Sequence, residues 1–136
     1  RSIEQNGKLL NEVSNSLLLF VRQLGYLRAT PDPDYKPKDS SCRLEVYNKM
    51  NKTPDFPILK CGGYLIEHLE NLGFFMSSGM GMIPLTFQEI ESYMRITNTP
   101  LNSDEVMIIR QMSQLYIQEI NDTNPESKAP YSATTL

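Results

Sequence analysis

Apolar positions recur in steps of three and four from Leu10 through Val13, Leu17, Phe20 and Leu24 to Leu27, the spacing of one buried helical face. This pattern predicts a long helix over residues 8–27. Leu9, Leu18, Leu19 and Val21 widen the stripe, so the helix needs a partner. That partner is either a neighbour in the same bundle or a second copy of the chain, and a seam under three heptads long does not choose between them. Pro31, Pro33 and Pro37, with Asp32, Asp34 and Asp39, remove backbone donors and restrict their neighbours, which predicts a loop over 28–41. Leu44, Tyr47 and Met50 predict a short helix over 41–51, ended by Pro54 and Pro57. Leu65, Ile66, Leu69 and Leu72 share one face of a helix placed over 59–72 and stopped at Gly73. Gly62 and Gly63 weaken its first turn by about 1 kcal/mol each relative to alanine.

Capping signals set the last two helices. Thr86-Phe87-Gln88-Glu89 is a capping box, in which the Thr86 hydroxyl accepts from the Glu89 N–H and the Glu89 carboxylate accepts from the Thr86 N–H. Leu85 and Ile90 form the accompanying hydrophobic staple, so a helix is expected over 87–97 before Asn98-Thr99-Pro100 closes it. The same grammar recurs with Asn102 as cap, Glu105 three positions on and a Leu101–Val106 staple. This second helix is expected to reach about residue 121, with Val106, Ile109, Met112, Tyr116 and Ile120 facing inward. Asp104 and Glu105 favour the positive end of its dipole. No alternating strand pattern competes anywhere. The fold expected is all-α: a small bundle of about five helices with a glycine-rich loop, forming one domain over 1–122 and followed by a flexible polar tail over 123–136.

Composition agrees with a single globular domain. The chain has 136 residues, 40% hydrophobic and 21% charged, enough to bury roughly two-thirds of its unfolded surface without disulfides or metals. The net charge of −3 argues against a nucleic-acid partner, which normally meets a basic surface. That total hides an asymmetry: residues 1–60 carry ten Lys/Arg against seven Asp/Glu, and residues 61–136 carry three against nine. Such polarity can steer head-to-tail self-association or an intramolecular fold-back, so a homo-oligomer stays open. The longest apolar run, Leu17 to Val21, is far short of the roughly 20 residues of a membrane span, so a soluble protein is expected.

Reactive side chains are few: one histidine, His68, two cysteines, Cys42 and Cys61, and no tryptophan. Zinc would need four ligands, so no metal and no cofactor is expected. In the absence of a signal-peptide pattern, the cysteines read as reduced thiols. His68 lies between Glu67 and Leu69, with Leu72 where a zinc-protease helix would place its second histidine, so it reads as a helix-edge residue. A small hydrolase pairing His68 with a cysteine is the weakest of the functional alternatives, since neither thiol lies in a nucleophile motif. Ser77-Ser78-Gly79-Met80-Gly81-Met82 lacks the Gly-Lys-Ser/Thr ending of a phosphate loop. It is instead a glycine-rich apolar loop in a methionine-rich region, since six of the seven methionines fall between Met76 and Met112. Methionine suits both gap-filling in a core and contact with variable partners.

Residues 63–120 resemble the small tail assembly chaperones of long-tailed bacteriophages and prophages. The resemblance rests on the helix from Tyr64 to Leu72, the loop from Ser78 to Met82, the helix start from Pro84 to Ile90, and Ile109-Arg110-Gln111-Met112 followed by Tyr116. Relatives often carry tryptophan where Phe87 stands, and residues 1–60 have no counterpart in the resemblance. It implies a non-enzymatic factor of the bacterial host cytoplasm that binds the phage tape-measure protein and recruits tail-tube subunits. The matching positions are Gly79, Gly81, Phe87, Tyr93, Arg110, Met112 and Tyr116, with Phe87 and Met112 read first as core. Met80, Met82, Tyr93 and Arg110 are the expected partner contacts; Gly79, Gly81, Thr86, Glu89, Asn102 and Glu105 are hinges and caps. A structural protein retained in the virion, or a prophage adaptor using the Leu10–Leu27 seam, is the alternative.

Overall fold

The computed structural model describes residues 3–31, 42–57, 59, 61–122, 124 and 128–130, with the backbone alone over 3–13. The apolar stripe of the amino-terminal region forms α1 (Ile3–Arg28), which begins more than a turn before the expected start. Leu17, Val21 and Leu27 are buried, and Phe20 and Leu24 pack against the same core; Leu10 and Val13 of the expected seam lie outside the described side chains. The partner that the stripe demands is supplied by the chain itself. Helix α5 (Ser103–Ile120) lies along α1, the most extensive packing of any two elements, and contributes Ile109, Met112 and Tyr116 to the shared core.

Gly25 sets how closely these helices approach. A Cβ placed on it would stand 2.9 Å from the Tyr116 carbonyl oxygen and 3.1 Å from the Glu119 Cβ. Beside this contact, Arg22 and Glu119 form an ion pair at 3.1 Å that links the basic and acidic halves. A half-exposed pair of this kind adds at most about 1 kcal/mol, so it orients α1 on α5 more than it holds them together.

The second helix, α2 (Arg43–Lys49), is shorter than expected, with Met50 at its exposed carboxyl end. Arg43 is buried: one guanidinium nitrogen donates to the Tyr26 carbonyl at 3.1 Å, another to the Asn124 carbonyl at 2.9 Å, and the group lies 4.2 Å from the Tyr26 ring centroid. The described part of the carboxyl-terminal stretch meets α1 again at Pro130, whose carbonyl accepts from the Gln23 amide at 3.0 Å and which is itself buried. Residues 123, 125–127 and 131–136 of the expected tail, and residues 32–41 of the proline-rich loop, lie outside the described residues.

Helix α3 (Gly63–Leu72) begins four residues later than the apolar pattern suggests. Gly62 sits at φ 85°, a left-handed conformation that a continuing right-handed helix excludes. Leu65, Ile66 and Leu69 are buried as the periodicity requires, and Gly73 ends the helix at φ 96°. Helix α4 (Phe87–Thr97) matches its expected span and stops at Asn98 in the left-handed region. The Thr86 hydroxyl accepts from the Glu89 N–H at 3.1 Å. The complete reciprocal box forms at α5, where Asn102 Oδ1 accepts from the Glu105 N–H and Glu105 Oε1 accepts from the Asn102 N–H, both at 2.9 Å.

One element departs from an all-α reading. Between α3 and α4 the chain forms an antiparallel hairpin, β1 (Met76–Ser78) and β2 (Gly81–Ile83), with Met76 opposite Ile83 and Ser78 opposite Gly81. The protein is therefore mostly helical with a small two-stranded sheet. Strands of three residues are too short to display a period of two, which is why the sequence presents this stretch only as a glycine-rich loop.

Candidate protein-binding surface

The hairpin stands on a base built from three elements. Its first strand leaves α3 through Gly73 and Phe74, and Phe74 takes φ 69°, unusual for a residue with a side chain. Packing holds it there. The Phe74 ring stacks on Tyr116 with centroids 4.6 Å apart, and the Arg28 guanidinium lies 4.9 Å from the Phe74 centroid while donating to the Tyr116 hydroxyl at 3.2 Å. Ser113, fully buried on α5, then ties both ends of the hairpin together: its hydroxyl donates to the Phe74 carbonyl at 2.7 Å and accepts from the Leu85 N–H at 3.0 Å. A single side chain thus satisfies two backbone groups on opposite sides of the hairpin, in a core where each would otherwise be costly to bury.

The tip is fixed locally as well. The Ser78 hydroxyl donates to the Gly81 carbonyl at 3.0 Å and accepts from the Met80 N–H at 3.2 Å. The Thr86 hydroxyl also reaches the Met76 sulfur at 3.8 Å, joining the α4 cap to the first strand. Gly79 lies in the turn and Gly81 in β2 at φ 119°, so both serve a formed hairpin. On this base Met80 is 100% exposed, and Ile83 at the end of β2 and Phe87 at the start of α4 are exposed as well.

The four expected partner contacts divide. Met80 is wholly exposed and Met82 half-buried on the opposite hairpin face from Ile83. Arg110 is engaged within the fold, its Nε donating to the Leu85 carbonyl at 3.2 Å and its guanidinium lying 4.2 Å from the Phe87 ring centroid. Tyr93 is half-buried, and its hydroxyl meets His68 Nδ1 at 2.6 Å and accepts from the Asn71 amide at 3.2 Å. Met112 is core, as its spacing implied. Phe87 is not: it is half exposed, and its ring is covered in part by Arg110. The first position of a helix lies outside the turn that packs inward, so helical spacing alone does not bury it.

The polar side chains around α3 are committed to holding helices together. The Asn71 amide nitrogen donates to the Tyr93 hydroxyl, which leaves that hydroxyl's own proton free for His68 Nδ1 in the tautomer that accepts there. Tyr64 donates to Glu105, whose other carboxylate oxygen caps α5. That bond, followed by partial burial and the negative charges of Glu105 and Cys61, pushes the Tyr64 hydroxyl up to about 12. Cys42 precedes α2 and Cys61 is exposed before α3; both are free thiols. Among the described residues no three His, Cys, Asp or Glu side chains gather where they could hold a metal ion, and no helix is long and apolar enough to cross a membrane.

Phe74 and Ile83 flank the glycine-rich loop in the sequence and stand at the base and in the second strand of the hairpin, while sequence reasoning missed Ser113 as its support. Ser113 interrupts the apolar face between Met112 and Tyr116, and a small hydroxyl within a buried helical stripe is a signal that backbone groups need a partner there. No family model, curated protein or solved structure matches the chain.

Proposed function

We propose that the chain is a non-enzymatic assembly factor that covers an apolar segment of a protein partner with the hairpin and the start of α4. The observation that carries this reading is Met80, fully exposed at the tip of a hairpin whose base Ser113 ties to the core. A long unbranched thioether on a fixed stalk, with exposed Ile83 at the far end of β2 and Phe87 at the start of α4, offers a soft apolar contact that adapts to different partner surfaces. In the form implied by the resemblance to tail assembly chaperones, the partner is a phage tape-measure protein. Its long amphipathic helices would be held dispersed while tail-tube subunits are recruited. Commitment of Leu17, Val21 and Leu27 to the internal core favours this reading over an adaptor assembled through the α1 seam.

Co-expression with a tape-measure protein tests the proposal. Soluble complex should be recovered with the wild-type chain and fall about tenfold or more with Met80→Asp combined with Phe87→Asp, a loss of roughly 1.4 kcal/mol or more. Both residues are exposed, so the double variant should keep its helical signal. Unchanged recovery with a folded double variant would remove the hairpin surface from the mechanism.

A further inference from the structure

All seven methionines lie among the described residues, and the fold divides them by how far solvent reaches each side chain. Met112 is 0% exposed in the core. Met76, Met82 and Met94 are half-buried, and the Met76 sulfur accepts from the Thr86 hydroxyl at 3.8 Å. Met50 is 56% exposed at the end of α2, and Met107 is 48% exposed near the start of α5. Met80, in the turn of the hairpin, is 100% exposed. The turn uses only its backbone. The Met80 N–H donates to the Ser78 hydroxyl at 3.2 Å, and that hydroxyl donates to the Gly81 carbonyl at 3.0 Å. The tip is therefore held without packing from the thioether, and a chemical change at the sulfur leaves the hairpin built.

A thioether so placed is open to oxidation by a peroxide. Its sulfur attacks one peroxide oxygen, an S–O bond forms as the O–O bond breaks, and the other oxygen leaves as water carrying both peroxide protons. Sulfur gives up the electron pair that the peroxide gains, and the product is methionine sulfoxide. This replaces a soft apolar contact by a strong hydrogen-bond acceptor, which an apolar partner segment would strand away from water. A methionine sulfoxide reductase returns the thioether, the oxygen leaving as water while two thiols are oxidised to a disulfide. Resting on the hairpin being the binding surface, we propose that Met80 is a reversible oxidation site, at which a peroxide releases the partner and a sulfoxide reductase restores binding. Met112 is unsuited to that role, because an added oxygen there would enter a packed core and disrupt the fold.

The test treats the full folded chain with hydrogen peroxide and then with dithiothreitol, which returns the thiols of Cys42 and Cys61 but leaves sulfoxides in place. Peptide mass mapping should find Met80 modified first, about twofold ahead of Met50 and Met107 in proportion to exposure, with Met112 unmodified. Met50→Leu combined with Met107→Leu confines the early reaction to Met80. This double variant should keep its Tm and helical signal after oxidation. A tape-measure protein diluted from urea should stay soluble with the untreated variant. The soluble complex should fall about tenfold once Met80 carries the sulfoxide, and recover after treatment with reductases for both sulfoxide epimers. Oxidation of a half-buried methionine ahead of Met80, equal complex from untreated and oxidised chains, or a loss that the reductases do not reverse overturns the oxidation site and leaves the hairpin surface standing. No complex from the untreated chain overturns the hairpin surface and the oxidation site with it.

Discussion

Replacing Ser113 by alanine tests the construction of the hairpin base. The hydroxyl is fully buried and makes two bonds, to the Phe74 carbonyl at 2.7 Å and from the Leu85 N–H at 3.0 Å. Alanine fills nearly the same volume, so the cost comes from the two backbone groups it strands. Leu85 is itself fully buried and Phe74 is 9% exposed, which leaves little access for water to either group. Each stranded group costs about 1–3 kcal/mol, and alanine returns about 0.5 kcal/mol through its higher helix propensity. The net loss should be about 3 kcal/mol. With an unfolding entropy of about 2.1 cal/mol/K per residue, the 136-residue chain should lose about 10 °C in Tm. Thermal and urea unfolding followed at 222 nm would measure it, with an unchanged urea slope showing that the unfolded state is unaffected. Amide exchange supplies the local reading: the Leu85 N–H should lose protection before the α5 interior does. Gln114→Ala, an exposed neighbour, should stay within about 0.5 kcal/mol. A Ser113→Ala loss below about 1 kcal/mol would show that the two groups find other partners, and would refute the assignment of Ser113 as the tie.

Three glycines should respond differently to alanine. Gly63 has nothing within 4 Å of its added Cβ, so Gly63→Ala should gain about 0.5 kcal/mol. Gly73 is equally open but sits at φ 96°, so Gly73→Ala should lose about 1–2 kcal/mol through the backbone alone. Gly25→Ala should lose a similar amount because its Cβ meets backbone on α5 at 2.9 Å; a Tm rise for Gly25→Ala would contradict the close approach of α1 and α5. Tyr64 gives a pH signature. Its hydroxyl titrates near 10 when unfolded and at about 12 when folded, so the folded chain binds the extra proton in between. That stabilisation is complete below pH 10 and disappears as pH rises toward 12. Subtracting the Tyr64→Phe stability curve from the wild-type curve should reveal a decline confined to that window, and a flat difference would count against the Glu105 bond. Arg43→Ala removes hydrogen bonds to two backbone carbonyls and should cost about 2–3 kcal/mol. Trypsin should then cut faster after Lys128, while a cleavage rate equal to wild type would dissociate Arg43 from tail docking.

The helices were legible because their signals are local. The Asn102–Glu105 box and the Thr86 cap lie within three residues of their partners, and the spans 87–97 and 103–120 follow from them nearly residue by residue. The start of α3 was misplaced because the apolar pattern does not report the φ of Gly62. The hairpin was missed because its strands are too short to carry a pattern. The candidate surface was legible in part: Met80 stands out as an exposed methionine, but Arg110 and Tyr93 are engaged by groups 22–25 residues away.

Amphipathic spacing and side-chain caps therefore determine, from the sequence alone, where the helices lie and which faces must be buried. They do not determine what covers those faces. Pairing of α1 with α5, the approach at Gly25, the bond from Arg28 to Tyr116, the buried Arg43 and the docking of Pro130 on Gln23 join residues up to 107 positions apart. Contacts of that separation depend on the packed arrangement of several elements at once, and a periodicity of three to four residues carries no record of them.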